Sequence, residues 1–501
     1  MLTTIQHLLL SCCVLCFGVN TTVKADPLKP QESTTYQQSI SPAEEVKNKS
    51  FAVASHHAIP QTPPNWLAIP FIVLLLMIAS GPLLYAHFWH RHYPKVAVGF
   101  ALLVTGYYAV VLHDFVRPVE ALIEYVQFIA LIAALYMASG GILIEVNKQA
   151  TPRANLALLL VGATIANLIG TTGASMLLIR PFIRLNRGRI KVYHIVFFIF
   201  IVSNVGGALT PIGDPPLFLG FLSGVPFFWT LQHNLLPWLT ALLLLGAIFY
   251  YLDTRNTSGI RETVTPGRPT LWLLGKHNFI WLVLIIAAVF IDPNIFTWVP
   301  ALHYHGHAYS FVRELILLSV AGLSYYYANQ RALQENEFSL EPLREVVLIF
   351  IGIFGTMVPA LQLISAFAGS EAGQALITHN VLYWSTGAFS SILDNAPTYL
   401  NFAAAAMAAQ DADISQVASV QAFAAGGAFH NSVLQLRAIS VAAVFFGAIT
   451  YIGNGPNFMV KAIAEQMGIR MPSFLGYILR YSIPFLLPTL VIVWLLFFAF
   501  V

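Results

Sequence analysis

Two aspartates lie in the middle of apolar, membrane-length sequence, and their carboxylates are the groups best suited to chemistry in this chain. Asp214 ends a polar string that begins at Asn204, and Asp394 opens the string Asp394-Asn395-Ala396-Pro397. Carboxylates inside a membrane are costly and are functional by default. Each can bind a proton or a cation but not both well, which is the minimal device for exchanging the two. A helix-capping role is compatible with ion binding, because aspartate is a good N-cap.

Hydroxyl and amide side chains near the two aspartates could complete the oxygen shell that a hard cation such as Na⁺ prefers. The candidate ion- or substrate-binding residues are Asp214, Asp394, Asn395, Asn204, Thr171, Thr172, Ser175, Thr210, Asn454 and Asn457. Asparagines inside a membrane also join helices by hydrogen bonds, so a structural role stays open for them. We expect no cofactor and no metal other than transported Na⁺.

Helix-breaking residues surround these polar side chains. They allow a helix to unwind and let backbones approach closely. The predicted structural breaks are Gly206, Gly207, Pro211, Gly213, Pro397, Gly453, Gly455 and Pro456. Broken helices at corresponding positions in two halves of a chain are typical of the binding site of a secondary transporter.

The composition requires a membrane. The chain has 501 residues, of which 57% are hydrophobic and 9% charged, whereas soluble domains carry about 25% charged residues. The net charge of +3 and the absence of basic runs interleaved with aromatic residues argue against a nucleic-acid partner.

The hydropathy pattern predicts an all-α integral membrane protein with about ten transmembrane helices and two re-entrant hairpins. A spanning helix needs about 20 apolar residues. The predicted spans are Trp66–Ala86, Lys95–His113, Ala121–Val146, Tyr193–Ser223, Leu235–Leu252, Phe279–Asp292, Ser310–Ala328, Val346–Ala366, Ala438–Ala464 and Phe474–Val501. Two further apolar stretches, Ala154–Leu185 and Gln374–Ala409, are interrupted near their centres and are the predicted hairpins.

Positive charge predicts the orientation, because Lys and Arg collect on the cytoplasmic side. Basic residues flank both ends of the first hairpin, and acidic residues flank the second, so the two hairpins are expected to open to opposite sides. The order of spans then gives two inverted-topology repeats, 66–252 and 278–501, joined by a cytoplasmic linker, 253–277. Direct sequence identity between the two repeats is too weak to see by eye.

The beginning of the chain resembles a targeting signal. An apolar stretch followed by Val23-Lys24-Ala25 predicts a signal peptide over 1–25, and the polar segment 26–65 is expected to be a disordered extracytoplasmic tail. The expected location is therefore the inner (plasma) membrane of a bacterium.

Two groups of histidines raise the alternative of a membrane metalloenzyme. They are His87, His90 and His92, and His303, His305 and His307. The charge pattern assigns them to opposite sides of the membrane, so we predict that the protein is not an enzyme. A channel is a further alternative that the helix breaks alone do not exclude.

These motifs resemble the ion transporter superfamily, and within it the NhaD-type sodium/proton antiporters. The string from Asn204 to Asp214 is similar to that family's N-x-G-G-A-x-x-P-I-G-D signature, and Asp394-Asn395-Ala396-Pro397 is similar to its second D-N-x-P motif. The resemblance covers about residues 66–501. It implies a scaffold, a moving transport domain, elevator-like alternating access and a homodimer.

The chain departs from the antiporter pattern directly after Asp214. The antiporters usually continue with Val-Thr-Thr, whereas this chain has Pro215-Pro216-Leu217, which removes candidate hydroxyl ligands. Related members of the superfamily, including a citrate-transport group, carry carboxylates. The sequence therefore predicts exchange of Na⁺ (or Li⁺) for H⁺ and leaves cation-coupled citrate or carboxylate transport as the alternative.

Overall fold

The protein is described by a computed structural model. The structure describes residues 63–147, 150–257, 270–293, 296, 298–304, 307–427 and 429–501. The predicted signal peptide, most of the predicted tail and much of the predicted linker lie outside these residues.

The described chain is helical and has the lengths that a membrane requires. Eight of its described helical segments are long and apolar enough to cross a bilayer, and the stretches Asn65–Ile78 and Asn278–Val289 are shorter apolar helices. The protein is therefore an all-α integral membrane protein, as the composition predicts. The eight include the first predicted hairpin, Pro152–Leu185, so seven of the ten predicted spans correspond to membrane-length helices and two to the shorter helices. The tenth, Ser310–Ala328, corresponds to the helix Val312–Tyr326.

The first half of the chain contains eight elements up to the region of the predicted linker. They are α1 (Ile69–Leu84), α2 (Ala86–Val110), α3 (Val116–Gly140), β1 (Leu143–Asn147), α4 (Pro152–Leu185), α5 (Val192–Ile201), α6 (Pro215–Ser223) and α7 (Trp229–Thr257). A short 3₁₀ turn precedes α1, and a second, Val205–Leu209, lies between α5 and α6.

The second half contains the remaining described elements. They are β2 (Thr270–Leu274), α8 (Asn278–Val289), β3 (Leu302–Tyr304), β4 (His307–Tyr309), α9 (Val312–Tyr326), α10 (Gln330–Glu335), α11 (Glu341–Ala368), α12 (Glu371–Leu376), α13 (His379–Ile392), α14 (Asn395–Ala408), α15 (Val417–Ala425), α16 (Ser432–Phe446), α17 (Gly455–Gln466), α18 (Phe474–Tyr477) and α19 (Leu487–Phe497). A 3₁₀ turn, Gly447–Ile449, follows α16, and π-type turns, Ile478–Leu486, join α18 to α19.

One predicted span ends earlier than its hydropathy indicates. The span Ala121–Val146 was expected to be helical throughout, but α3 ends at Gly140 and residues Leu143–Asn147 form β1. This strand pairs antiparallel with β2, so that Leu143 faces Leu274 across the ladder. Hydropathy cannot distinguish a short apolar strand from the last turns of an apolar helix, because both have the same composition.

The first interrupted stretch is a hairpin. Gly170 leaves helical geometry, with φ 78° and ψ 154°, a conformation that glycine adopts without a Cβ penalty. The side chain of Asn155 donates to Asn186 Oδ1 at 2.8 Å, although the two would be about 46 Å apart along a straight helix. Both ends of α4 therefore lie together, as a re-entrant segment requires.

The helices form two packing groups that share one interface. In the first group α1, α2, α3, α8, α9 and α11 pack on one another, and in the second α4 to α7 pack with α13, α14, α16 and α17. The groups meet where α3 packs against α4 and α11 against α14. We call them the outer group and the site group.

The two broken helices form the centre of the site group. Burial reaches 89% in Val192–Leu209 and 78% in Ser432–Ile449, against 22–50% in the other six membrane-length segments. An apolar helix that is buried on all sides can interrupt its backbone hydrogen bonds, because protein and not lipid surrounds the freed groups. The helix breaks therefore lie where a transport site can be built.

Candidate functional site

Asp214 lies at the centre of the site group. It is the residue before α6, has extended backbone with φ −144° and ψ 142°, and is 1% exposed. Three side chains from other elements donate to its carboxylate: Thr171 Oγ1 at 2.7 Å, Asn395 Nδ2 at 2.5 Å and Asn454 Nδ2 at 3.0 Å. The tips of both predicted hairpins and both broken helices therefore meet at this carboxylate.

The backbone around Asp214 is unwound for identifiable reasons. Thr210 Oγ1 accepts from Gly213 N at 3.1 Å and donates to Asn167 O at 2.6 Å, which ties the break to the first hairpin. A Cβ on Gly207 would lie 2.7 Å from Gly213 O, so only glycine allows this approach of two backbones. Thr171 N donates to Gly213 O at 2.8 Å, which fixes the hairpin tip against the break.

Asp394 lies beside this shell and has the helix-capping role that the sequence allows together with ion binding. Its carboxylate accepts from Ala396 N at 3.0 Å and caps α14, in the way that an N-cap aspartate does. The neighbouring Asn395, not Asp394, supplies the contact with Asp214 among the described hydrogen bonds. Ion binding by Asp394 together with Asp214 stays a prediction.

Three of the four predicted asparagines form a connected layer behind Asp214. Asn204 Nδ2 donates to Asn457 Oδ1 at 2.6 Å, and Asn454 Nδ2 donates to Asn204 Oδ1 at 3.2 Å. Asn457 Nδ2 in turn donates to Gly447 O and to Thr450 O, at 2.8 and 2.9 Å. This layer joins the two broken helices through Asn204 and Asn457, and ion binding by these two residues stays a prediction.

The predicted hydroxyl residues divide between the shell and its supports. Thr171 contacts Asp214, and Thr172 lines the cavity beside it. Ser175 Oγ lies 2.8 Å from Ser203 Oγ, which joins the second arm of α4 to the chain after α5. Thr210 holds the backbone. Of the four, therefore, only Thr171 is in hydrogen-bonding contact with the carboxylate in the described structure.

The predicted structural breaks lie at the points where helices end. Pro456 occupies the first turn of α17, and Pro397 lies in the first turn of α14. Proline is tolerated there because the first N–H groups of a helix have no partner within it. A Cβ on Gly455 would meet no described atom within 4 Å, so this glycine, unlike Gly207, is not required by packing.

A cavity of about 50 Å³ opens beside Asp214. The hairpin tip and the break at Pro211 to Asp214 form one side, and α3 forms the other with Phe128, Leu131 and Leu135. Among the described residues that line the cavity there is no Lys, Arg or His. A volume of this size holds about one or two water molecules or a small cation.

Four helix N-termini point to the same place. The second arm of α4 starts after Gly170, and α6, α14 and α17 start at Pro215, Asn395 and Gly455. Asp214 itself precedes one of these helices. Thr171, Asn395 and Asn454, at the starts of the other three, donate hydrogen bonds to its carboxylate. The positive ends of helix dipoles stabilise negative charge, and here they surround a carboxylate that has neutral hydrogen-bond donors.

Sequence reasoning missed Asn167 and a local repeat. Asn167 Oδ1 accepts from Leu209 N at 2.9 Å, and a polar side chain three residues before the tip glycine could have indicated this support. The strings Gly-Ala-Leu-Thr-Pro-Ile-Gly-Asp-Pro-Pro, from Gly207, and Gly-Ala-Ile-Thr-Tyr-Ile-Gly-Asn-Gly-Pro, from Gly447, are plainly related. Sequence identity between the two repeats is therefore visible at the helix breaks, although none was expected from comparison of the repeats as a whole.

The described residues contain no group of three or more His, Cys, Asp or Glu side chains that could hold a metal ion. Of the histidines considered as a metalloenzyme site, His305 lies outside the described residues.

Comparison with known proteins identifies the family and leaves the substrate open. None of the curated proteins matches the chain. Residues 61–498 match the protein family described as "Putative citrate transport"; the match covers all the described helices and supports a membrane transporter. The chain belongs to this citrate-transport family of membrane proteins.

Proposed function

We propose that this transporter exchanges Na⁺ (or Li⁺) for H⁺ by alternating access, and that Asp214 binds one ion or the other. The observation that carries the proposal is the chemistry of the shell around Asp214. The carboxylate is buried, and its described hydrogen bonds come from one hydroxyl and two amides, all of them neutral. A buried carboxylate with no described basic partner is neutralised by a proton or a bound cation.

The neighbouring groups suit a small, hard cation. Thr171 offers a hydroxyl oxygen, and the amides of Asn395 and Asn454 can present their oxygens to a cation after donating N–H to the free carboxylate. Na⁺ prefers such oxygen ligands, as calcium and magnesium do. The cavity of about 50 Å³ is large enough for this ion and a water molecule.

The packing supports alternating access between two inverted repeats, 66–252 and 278–501. Thr171 and Asn395 come from the tips of the two hairpins and contact the same carboxylate. The site group meets the outer group along α3, whose cavity-lining side chains include Phe128, Leu131 and Leu135. Movement of the site group along this apolar wall would carry a neutralised Asp214 across the barrier. We further propose that the transporter is a homodimer in the inner membrane of a bacterium, with its N-terminal tail on the extracytoplasmic side.

Cation-coupled transport of citrate or another carboxylate is the second candidate. The family description and the four helix N-termini around the site favour it, because helix N-termini attract anions. One observation opposes it: no described residue lining the cavity beside Asp214 is basic. Family membership also agrees with the prediction that the protein is not an enzyme.

Transport in inverted vesicles tests the proposal. A respiration-driven ΔpH quenches a dye, and added Na⁺ or Li⁺ should restore its fluorescence, whereas K⁺ should not. Asp214→Asn should abolish the response. Asp394→Asn keeps a good N-cap, so we expect it to change the apparent affinity for Na⁺ without abolishing exchange.

The same vesicles separate the two candidate functions. Na⁺-dependent uptake of labelled citrate, together with no dye response to Na⁺ alone, would contradict the exchange proposal and support the carboxylate transporter. A normal dye response in Asp214→Asn would show that this carboxylate does not bind the exchanged ions.

A further inference from the structure

The two unwound segments are the same local structure built twice. Thr210 has φ −136° and ψ 155°, and Thr450 has φ −130° and ψ 168°. Thr450 Oγ1 accepts from Gly453 N at 3.0 Å, as Thr210 Oγ1 accepts from Gly213 N at 3.1 Å. A Cβ on Gly453 would lie 2.6 Å from Gly447 O, which repeats the close approach of Gly213 and Gly207.

The correspondence extends to the hairpin tips. Thr210 Oγ1 donates to Asn167 O and Thr450 Oγ1 donates to Ser391 O, each at 2.6 Å. The residues four positions later are Thr171 and Asn395. Both donate to the carboxylate of Asp214, so the equivalent tip residues of the two hairpins share one hydrogen-bond acceptor.

The equivalence is broken at the residue before the helix. Asp214 and Asn454 both precede a half-helix with extended backbone, at φ −144° and ψ 142° and at φ −153° and ψ 140°. The first is a carboxylate and the second an amide that donates to it at 3.0 Å. Asp394 does not restore the symmetry, because its carboxylate caps α14 among the described contacts.

We propose that Asn454 leaves Asp214 as the one carboxylate at the two helix breaks and thereby limits these breaks to one bound cation per chain; this inference rests on the proposed Na⁺ binding at Asp214. Two carboxylates about 3 Å apart do not both stay charged unless a cation or proton neutralises each. An aspartate at position 454 would therefore add a second cation site in a backbone already shaped like the first. Asn454 keeps that site neutral and supplies a hydrogen bond instead.

Direct binding of ²²Na⁺ to purified protein in detergent tests the inference without any transport. The wild type should bind about one Na⁺ per chain at alkaline pH, and Asn454→Asp about two, since each carboxylate then takes one cation. Asp214→Asn should bind none. The double variant Asp214→Asn/Asn454→Asp moves the carboxylate to the equivalent position and should regain about one.

A matched control adds a carboxylate elsewhere in the site group. Asn380 lies at the base of the second hairpin, and its Oδ1 accepts from Trp494 Nε1 at 2.8 Å. Asn380→Asp keeps this acceptor, so it should fold and bind as many Na⁺ ions as the wild type. Thermal unfolding of each variant in the same detergent checks that the chain is folded.

The outcomes separate this inference from the proposed function. If the wild type binds no Na⁺ or Li⁺, the proposed function fails, and this inference fails with it. If the wild type binds one ion and folded Asn454→Asp still binds only one, Asn454 does not set the number of sites and the inference alone is wrong. If Asn454→Asp does not fold, the double variant, whose charge equals that of the wild type, decides: binding restored supports the inference and binding absent overturns it.

Discussion

Removal of the Thr171 hydroxyl should move the pH dependence of exchange. Thr171 Oγ1 donates to Asp214 Oδ1 at 2.7 Å, in a buried position at the tip of the first hairpin. Valine has nearly the same shape as threonine but cannot donate. The Thr171→Val variant keeps the backbone bond from residue 171 to Gly213 O, 2.8 Å in the wild type, so the tip should stay in place while the charged form of Asp214 loses one of its three donors.

The size of the effect follows from the strength of the lost hydrogen bond. A hydrogen bond to a charged group contributes about 1.5–3 kcal/mol, and one pH unit corresponds to about 1.4 kcal/mol. The proton then competes better with Na⁺, because only the charged carboxylate needs the donor. The pH at half-maximal exchange should therefore rise by about 1–2 units. Na⁺-dependent dye dequenching from pH 6 to 10 measures it.

Thr164→Val is the matched control for this prediction. Thr164 lies on the first arm of the same hairpin, is exposed, and donates to Leu160 O at 3.0 Å. The same chemical change there should leave the pH profile in place. If Thr171→Val and Thr164→Val both exchange with the wild-type profile, Asp214 is not the group for which Na⁺ and H⁺ compete.

Two further predictions concern topology and stability. Cysteines replacing Arg187 and Asp413, both exposed, should react with a membrane-impermeant thiol reagent from opposite sides of the membrane, and labelling from one side only would exclude inverted repeats. Gly453→Ala should lower the free energy of unfolding by about 1–3 kcal/mol through overpacking, since its Cβ would lie 2.6 Å from Gly447 O. Gly455→Ala should leave it nearly unchanged, because no described atom lies within 4 Å of that Cβ; equal melting temperatures for the two variants would contradict the assigned packing.

The membrane fold could be predicted from the sequence because the signals that determine it are local. Hydropathy over about 20 residues identifies a span, and a glycine or proline inside such a span marks a break. The bends at Gly170 and after Ile201 follow from these rules. The end of α3 at Gly140 does not, because it depends on β1 pairing with β2, which lies far along the chain.

The composition of the site could be predicted, but not which of its residues touch. Asp394 and Asn395 are adjacent in sequence, and both are plausible ligands. Their assignment depends on the cap of α14: Asp394 accepts from Ala396 N, which leaves Asn395 in contact with Asp214. Asn204 and Asn457 likewise bond to each other across the two halves. Such pairings are set by how four chain segments pack, and no local pattern reports them.

Under the proposed exchange, the surroundings of Asp214 also give a physical reason for coupling between the two ions. The wall that faces it is apolar, with Phe128, Leu131 and Leu135 on α3. Moving an uncompensated charge against such a wall costs several kcal/mol even after the protein relaxes. A bound Na⁺ or a proton removes most of this free-energy cost, whereas the full cost opposes movement of the empty, charged site. The site group would therefore cross when loaded with either ion and stay when empty, so Na⁺ could not leak without a proton returning. Neutral donors and helix N-termini suit this role better than a resident Arg or Lys, because a permanent positive charge would let the empty site cross.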